Sequence, residues 1–278
     1  MRIGEYIRLS IQFYIRYHLY SMKLAGFMKV SIISIEEKNS PRLKKFLSQP
    51  FFEQGNLKYT KLGVKGGELS AKQYFEYAVK GRSSPLTPGE LGCTLSHLNA
   101  LEDFLKTDEE YILILEDDAI LPVNLSLEIL EEELKKIKLP KNTLFSLGGI
   151  QMKECHKVRG KYCNFSLFGK KVLEVVPDFY HRVNYTVSYI VDRKMAKTLL
   201  EYHKPIRRTD DWSYLYDFDQ TSHIYMTYLV DHPIIDKGEK NQTLSLIEHE
   251  RIELLGLSKS KYGRWIGKNL SKIKTHKY

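Results

Sequence analysis

The chain has 278 residues, 42% of them hydrophobic and 28% charged, which suits one large folded domain or two small ones and excludes a disordered chain. Its formal charge is +9, but the stretch from Leu257 to Tyr278 holds seven Lys or Arg and no acid, leaving +2 on the rest. Three cysteines, Cys93, Cys155 and Cys163, are an odd count without paired metal spacing; Cys155 and Cys163 are the pair that could meet, yet free thiols in a reducing compartment are the expectation.

Residues 1–28 form an N-terminal extension rich in Ile, Leu and Tyr, interrupted by Arg2, Glu5, Arg8 and Arg16. No run of about 18 uncharged residues exists there for a spanning helix, and the charges recur too often for a secretory signal. The extension reads either as an interfacial helix or as residues upstream of the true start. A domain then runs over 29–247. KVSIISI (29–35) is β-rich, and Ser40-Pro41 marks a helix start with Ser40 as N-cap. LKYTKLGV (57–64) supplies a second strand, so a βαβ unit and a parallel sheet are expected. Gly63, Gly66 and Gly67 mark the following loop without forming a dinucleotide fingerprint.

LTPGELGCTLSHLNALEDFL (86–105) predicts a helix with Thr87 as N-cap and Glu90 closing a capping box. Leu91, Thr94, Leu95, Leu98, Leu101 and Leu105 line one face, Gly92, Ser96 and Asn99 another, and His97 borders the apolar stripe. Tyr111-Ile112-Leu113-Ile114-Leu115 has no polar alternation and predicts a strand buried on both faces. A charged helix (127–137), a strand at 143–149 and a longer segment around CNFSLFGKKVLEVVP follow. RVNYTVSYIV (182–191) alternates Val and Tyr with polar residues and predicts a half-buried strand, after which Asp192 caps a helix. An acid-rich stretch with Asp210, Asp211, Asp217 and Asp219 precedes a last strand, IYMTYLVDHP.

The buried strand ends in Glu116, Asp117 and Asp118. Adjacent carboxylates repel one another and resist burial unless a cation sits among them. At the carboxyl end of a parallel strand, where open α/β sheets bind ligands, they suit Mg²⁺ or Mn²⁺, which need few carboxylates when phosphates and water complete the shell. In extended backbone Glu116 and Asp118 share a side and Asp117 faces the other. That economy fits a nucleotide diphosphate.

ELGCTLSH, ILEDDA and the later aspartate segment, in that order after MKVSIISI, resemble glycosyltransferase family 25, the lipopolysaccharide and lipooligosaccharide sugar transferases related to collagen galactosyltransferases; the resemblance covers about Lys29 to Ile247. It implies an α/β, GT-A-like nucleotide-diphospho-sugar transferase fold with a mainly parallel sheet, a UDP-sugar donor, often UDP-galactose, and inversion at the anomeric carbon. By the same resemblance the metal motif falls on Glu116-Asp117-Asp118, with Asp118 the direct ligand and Glu116 beside it. Glu90, Gly92, Ser96 and His97 would face the donor, and Arg42 would hold a phosphate or the uracil-side loop, with a structural ion pair as its alternative. The catalytic base falls on Asp210 or Asp211, with Asp211 the better register and Trp212 placed to stack on a sugar. Arg207-Arg208-Thr209 replaces the family's usual apolar residues, and the doubled arginine near Arg42 is missing. Ser245 and Ile247 match a weak terminal motif.

Residues 248–278 form a basic amphipathic tail, with Trp265, Ile266, Leu270 and Ile273 at helical spacing among lysines, suited to an anionic membrane surface. Signatures of nucleic-acid modules are lacking, so nucleic acid is not an expected partner. The expected enzyme is a metal-dependent hexosyltransferase of the bacterial cytoplasm, peripheral at the inner face of the inner membrane, acting on a lipid-linked oligosaccharide acceptor. Two other readings stand beside it: a non-catalytic membrane-surface adaptor, and a metal-dependent nucleotide-sugar phosphohydrolase.

Overall fold

The structure, a computed structural model, describes residues 26–53, 57–148 and 155–233. Ser245, Ile247, the basic tail and nearly all of the N-terminal extension lie outside the described residues. Among the described residues the strands are β1 (Met28–Ile33), β2 (Tyr59–Leu62), β3 (Tyr111–Glu116), β4 (Thr143–Gly148), β5 (Gly160–Leu167), β6 (Lys170–Val175), β7 (Ser188–Asp192) and β8 (His223–Val230). They make one sheet in the order β2-β1-β3-β7-β4-β8-β6-β5. The longer helices are α1 (Pro41–Leu47), α2 (Pro88–Leu105), α3 (Leu127–Lys136) and α4 (Arg193–Tyr202).

Helices pack on both faces, and β3 shows why its sequence carries no polar alternation. Ile112 and Ile114 join the core beneath α2 and α4 with Leu98, Leu101, Phe104 and Leu199. Leu113 and Leu115 point the other way, into a core with Leu43 and Phe46 of α1 and Leu130 and Leu134 of α3. All four are at most 1% exposed. At about 25 cal/mol per Å² of apolar surface removed from water, each fully buried Leu or Ile contributes roughly 1.5–3 kcal/mol, which makes this strand the anchor of the acids that follow.

The expected mainly parallel sheet is not what forms. β1 pairs in parallel with β2 and β3, as the βαβ reading requires, and β4 pairs in parallel with β8. The other four pairings are antiparallel, because β7 and β6 run against the rest and each lies between two neighbours. The sheet is mixed. The segment around CNFSLFGKKVLEVVP, unresolved by pattern, is the β5–β6 hairpin, turning at Phe168 and Gly169 with positive φ.

The strand expected over 182–191 is shorter and fully buried. Residues Pro177–Arg182 form a 3₁₀ stretch, Tyr185 has φ +70°, and only Ser188–Asp192 joins the sheet, with all five residues buried. Tyr189 and Val191 fill one core and Ile190 the other, so the Val/Tyr alternation did not mark a solvated face. Asp192 caps α4 as expected, accepting from Lys194 N and Met195 N at 2.7 and 2.9 Å, and also accepts from Thr143 N at 2.7 Å.

Strand direction determines what meets at one edge of the sheet. β1 and β3 end there, β8 is carried there by the Ile120–Asp231 bridge, and β7 starts there. Ser34, the three acids, Thr186 and His232 are thereby gathered from four distant parts of the chain.

Candidate active site

Beyond Glu116 the strand gives way to a turn, in which Ala119 N donates to Glu116 O, so the strict alternation expected for the acids lapses. Arg42, just inside the start of α1, reaches both Asp117 and Asp118. Its Nε donates to Asp117 Oδ1 at 2.8 Å and its Nη2 to Asp118 Oδ2 at 3.2 Å. Asp117 also accepts from Ser34 Oγ at 2.6 Å. The ion pair weighed as the alternative for Arg42 is therefore present. Asp117, 7% exposed, is spent on Arg42 and Ser34.

Glu116 turns to α2 and β7. Thr186 Oγ1 donates to its Oε1 at 2.5 Å, and His97 Nε2 lies 3.3 Å from the same oxygen. His97 is 2% exposed. Its Nδ1 lies 2.9 Å from Tyr189 Oη and its ring stacks on Tyr189, whereas Nε2 has no aligned hydrogen bond. His97 both fills the core and adjoins the acids. Burial acts to raise the Glu116 carboxyl, but His97 and Thr186 outweigh it and hold it below the usual range.

Asp118 lies between Arg42 and His232. One oxygen faces Arg42 and, at 3.7 Å, His232 Nε2. The other, Oδ1, is buried with no hydrogen-bond partner, an arrangement that costs about 1–3 kcal/mol unless a ligand takes it. Burial and the Glu116 charge push its carboxyl up to about 6, against His232 and Arg42. Burial raises Asp117 as well, despite Arg42 and Ser34. A hard cation that takes few carboxylates fits this donor set through Asp118, while Glu116, the second expected ligand, is turned to His97 and Thr186.

The remaining expected residues divide. Glu90 closes the capping box: its carboxylate accepts from Thr87 N and its own N–H donates to Thr87 Oγ1, both at 3.1 Å. Ser96 donates to Gly92 O at 2.7 Å and accepts from Val64 N at 2.8 Å, seating the loop after β2 on α2. Gly92 is needed for that approach, since a Cβ there would lie 2.5 Å from Val64 O. Asp210 accepts from Tyr185 N at 3.4 Å, and the Tyr185 ring lies 5.8 Å from the His232 ring beside Asp118. Asp211 instead accepts from Ser213 N, and its charge acts on Arg82, Tyr202 and His203. Contacts from the acids thus lead to Asp210. Trp212, expected to offer a sugar-stacking face, is 3% exposed and packs edge-on against His203.

Ser34, Thr186 and His232 adjoin the acids, and Tyr189 reaches them through His97; none of the four is marked by the local sequence. Each lies at or near a strand end, and only the mixed strand order, which no local pattern encodes, brings them together.

Residues 28–218 match the sequence model described as "Glycosyltransferase family 25 (LPS biosynthesis protein)". A curated protein of Anopheles gambiae, "Glycosyltransferase 25 family member", is 36% identical over 63 residues, 20% of this chain and 11% of that protein. The chain thus spans about a tenth of the length of the curated relative it matches. Since the matched span of the family model is well over half of the chain and holds the three acids, α2, Asp210 and Asp211, the chain belongs to glycosyltransferase family 25.

Proposed function

We propose that this chain is a metal-dependent, inverting hexosyltransferase with a GT-A-like fold in residues 29–247, moving galactose from UDP-galactose to an acceptor sugar of bacterial lipopolysaccharide or lipooligosaccharide. Family membership supports sugar transfer, and the family's description as lipopolysaccharide biosynthesis supports the acceptor class. The observation that carries the metal and donor reading is the buried, unpartnered Oδ1 of Asp118 at the carboxyl end of β3.

Asp118 would hold the cation, Mn²⁺ or Mg²⁺. When bound, such an ion neutralises the donor's pyrophosphate as UDP departs. Arg42, paired with Asp117 and Asp118, would supply the positive charge for a donor phosphate. Asp210 serves as base: its carboxylate takes the proton of the acceptor hydroxyl while that oxygen bonds to the anomeric carbon and the bond to UDP breaks on the opposite face. His97 and Thr186 keep Glu116 ionised beside this centre. Glu90 and Ser96 act by setting α2 and the loop after β2. Among the described residues no helix is long and apolar enough to cross a membrane, and the basic tail supports peripheral attachment at the cytoplasmic face.

The test is a panel of UDP-sugars, with and without Mn²⁺, followed by NMR in the presence of lipooligosaccharide acceptors. Consumption of UDP-galactose that needs both acceptor and metal, with inverted configuration in the product, is expected. Donor loss without acceptor would mean a phosphohydrolase, and no turnover of any sugar nucleotide would leave the adaptor reading.

A further inference from the structure

Cys93 is used by nothing above, yet its Sγ, a nitrogen of His97 and a carboxylate oxygen of Glu116 all lie within 4.8 Å of one another. Cys93 and His97 are four residues apart on α2 and share a face, which meets the end of β3. From these three side chains the geometry points to a zinc-class site, separate in ligand chemistry from the all-oxygen position at Asp118.

Three observations converge. The first is His97 Nε2, on a residue only 2% exposed, with no aligned hydrogen bond and with Glu116 Oε1 3.3 Å away. Two ligands at about 2.0 Å from one tetrahedral zinc stand about 3.3 Å apart, so this pair already has the spacing such an ion needs. The second is that each ligand side chain has a hydroxyl behind it. Tyr189 Oη meets His97 Nδ1, Thr186 donates to Glu116, and Thr209 donates to Cys93 Sγ at 3.4 Å. Outer partners of this kind orient metal ligands: in the tautomer whose Nδ1–H donates to Tyr189 Oη the Nε2 lone pair is available to an ion, which would then take over from the His97 contact the stabilisation of ionised Glu116. The third is the donor set itself. One thiolate, one imidazole and one carboxylate select a borderline-soft ion over Mg²⁺, and three protein ligands leave a fourth position open. Closing on an ion asks the Cys93 sulfur to move on the order of 1 Å. Zinc here would fix Glu116 two residues from Asp118, so two unlike metal positions would adjoin.

The test uses the full-length protein, stripped by chelator and titrated with Co²⁺ and then Zn²⁺. Bound Co²⁺ should show a thiolate-to-metal charge-transfer band that Zn²⁺ removes. Cys93→Ser should abolish the band and weaken Zn²⁺ binding by at least about 100-fold, while Asp118→Asn keeps both. Alkylation of the unsubstituted protein gives a second readout that needs no variant to fold: Zn²⁺ should slow modification of Cys93 and leave Cys163 unaffected. Absence of the band at saturating Co²⁺, or equal alkylation of Cys93 with and without Zn²⁺, would overturn the site. Neither measurement involves a sugar donor, so a failure here and a failure of the transferase proposal are told apart.

Discussion

At the scale of single residues, Asp118 links burial to chemistry. With its carboxyl up at about 6, a bound proton competes with a cation for the same oxygens. Mn²⁺ binding should release that proton, so affinity should fall about tenfold per pH unit below 6 and level off above it. Calorimetry across pH 5–7.5, in buffers of different ionisation enthalpy, measures both the slope and the proton count. A flat profile through pH 6 would remove Asp118 from the ligand set. Asp118→Asn should lower Mn²⁺ affinity by about 100-fold or more, with circular dichroism unchanged. The neighbouring pair of aspartates offers a separate comparison. Asp210→Asn should reduce kcat by about 10²–10⁴ with donor binding retained, whereas Asp211→Asn, whose carboxylate accepts from Ser213 N and whose charge acts on Arg82 and Tyr202, should stay within about tenfold of the unmodified enzyme. The reverse ranking would restore the register expected from family resemblance.

Elements differ in how much of their role local sequence reveals. β3 was readable because five apolar residues in a row leave no solvated face, and both cores receive them. The capping box at Thr87 and Glu90 and the cap at Asp192 were readable because caps are local chemistry. β7 was not, since its apparent period of two arose from Val and Tyr residues packed in a loop as well as in a strand. Asp192 also carries a duty that no cap rule foresees, the bond from Thr143 N that ties β4 to the start of α4. Asp192→Ala should therefore cost more than a lost cap: about 1 kcal/mol for the cap and about 1–3 for the buried N–H left behind. Thermal unfolding should show a larger drop than Ser126→Ala, which removes only the cap of α3 through Ile129 N. Equal drops would mean that Thr143 N finds another acceptor. Gly92→Ala probes the seat of the loop after β2. With backbone rather than side chain in the way, it should cost about 1–3 kcal/mol.

For the whole molecule, the class was legible and the topology was not. Alternating strands and helices announce α/β, but the reversal of β6 and β7 depends on long-range pairing, and with it the arrival of Thr186 and His232 beside the acids. The acids themselves are visible in sequence; their division of labour, with Asp117 on Arg42, Glu116 on His97 and one oxygen of Asp118 without a partner, is set by long-range packing. Charge is the other property of the whole chain. Of its +9, seven basic residues with no acid lie between Leu257 and Tyr278. A basic residue near an anionic bilayer contributes about 1 kcal/mol, so seven of them would supply several kcal/mol of attraction to an anionic surface. The attraction acts over a Debye length of about 8 Å at physiological salt and about 3 Å at 1 M. Full-length protein should sediment with vesicles rich in anionic lipid, and release should be nearly complete at 1 M salt. Neutral vesicles should bind it weakly, because Trp265, Ile266, Leu270 and Ile273 add apolar contact without the charge term. Deleting residues 257–278 should lower vesicle binding by at least about tenfold while transfer to a soluble acceptor continues, because α2, β3 and Asp210 lie elsewhere in the chain. Equal sedimentation of the truncated and full-length proteins would place the membrane contact in the folded domain or in the N-terminal extension instead.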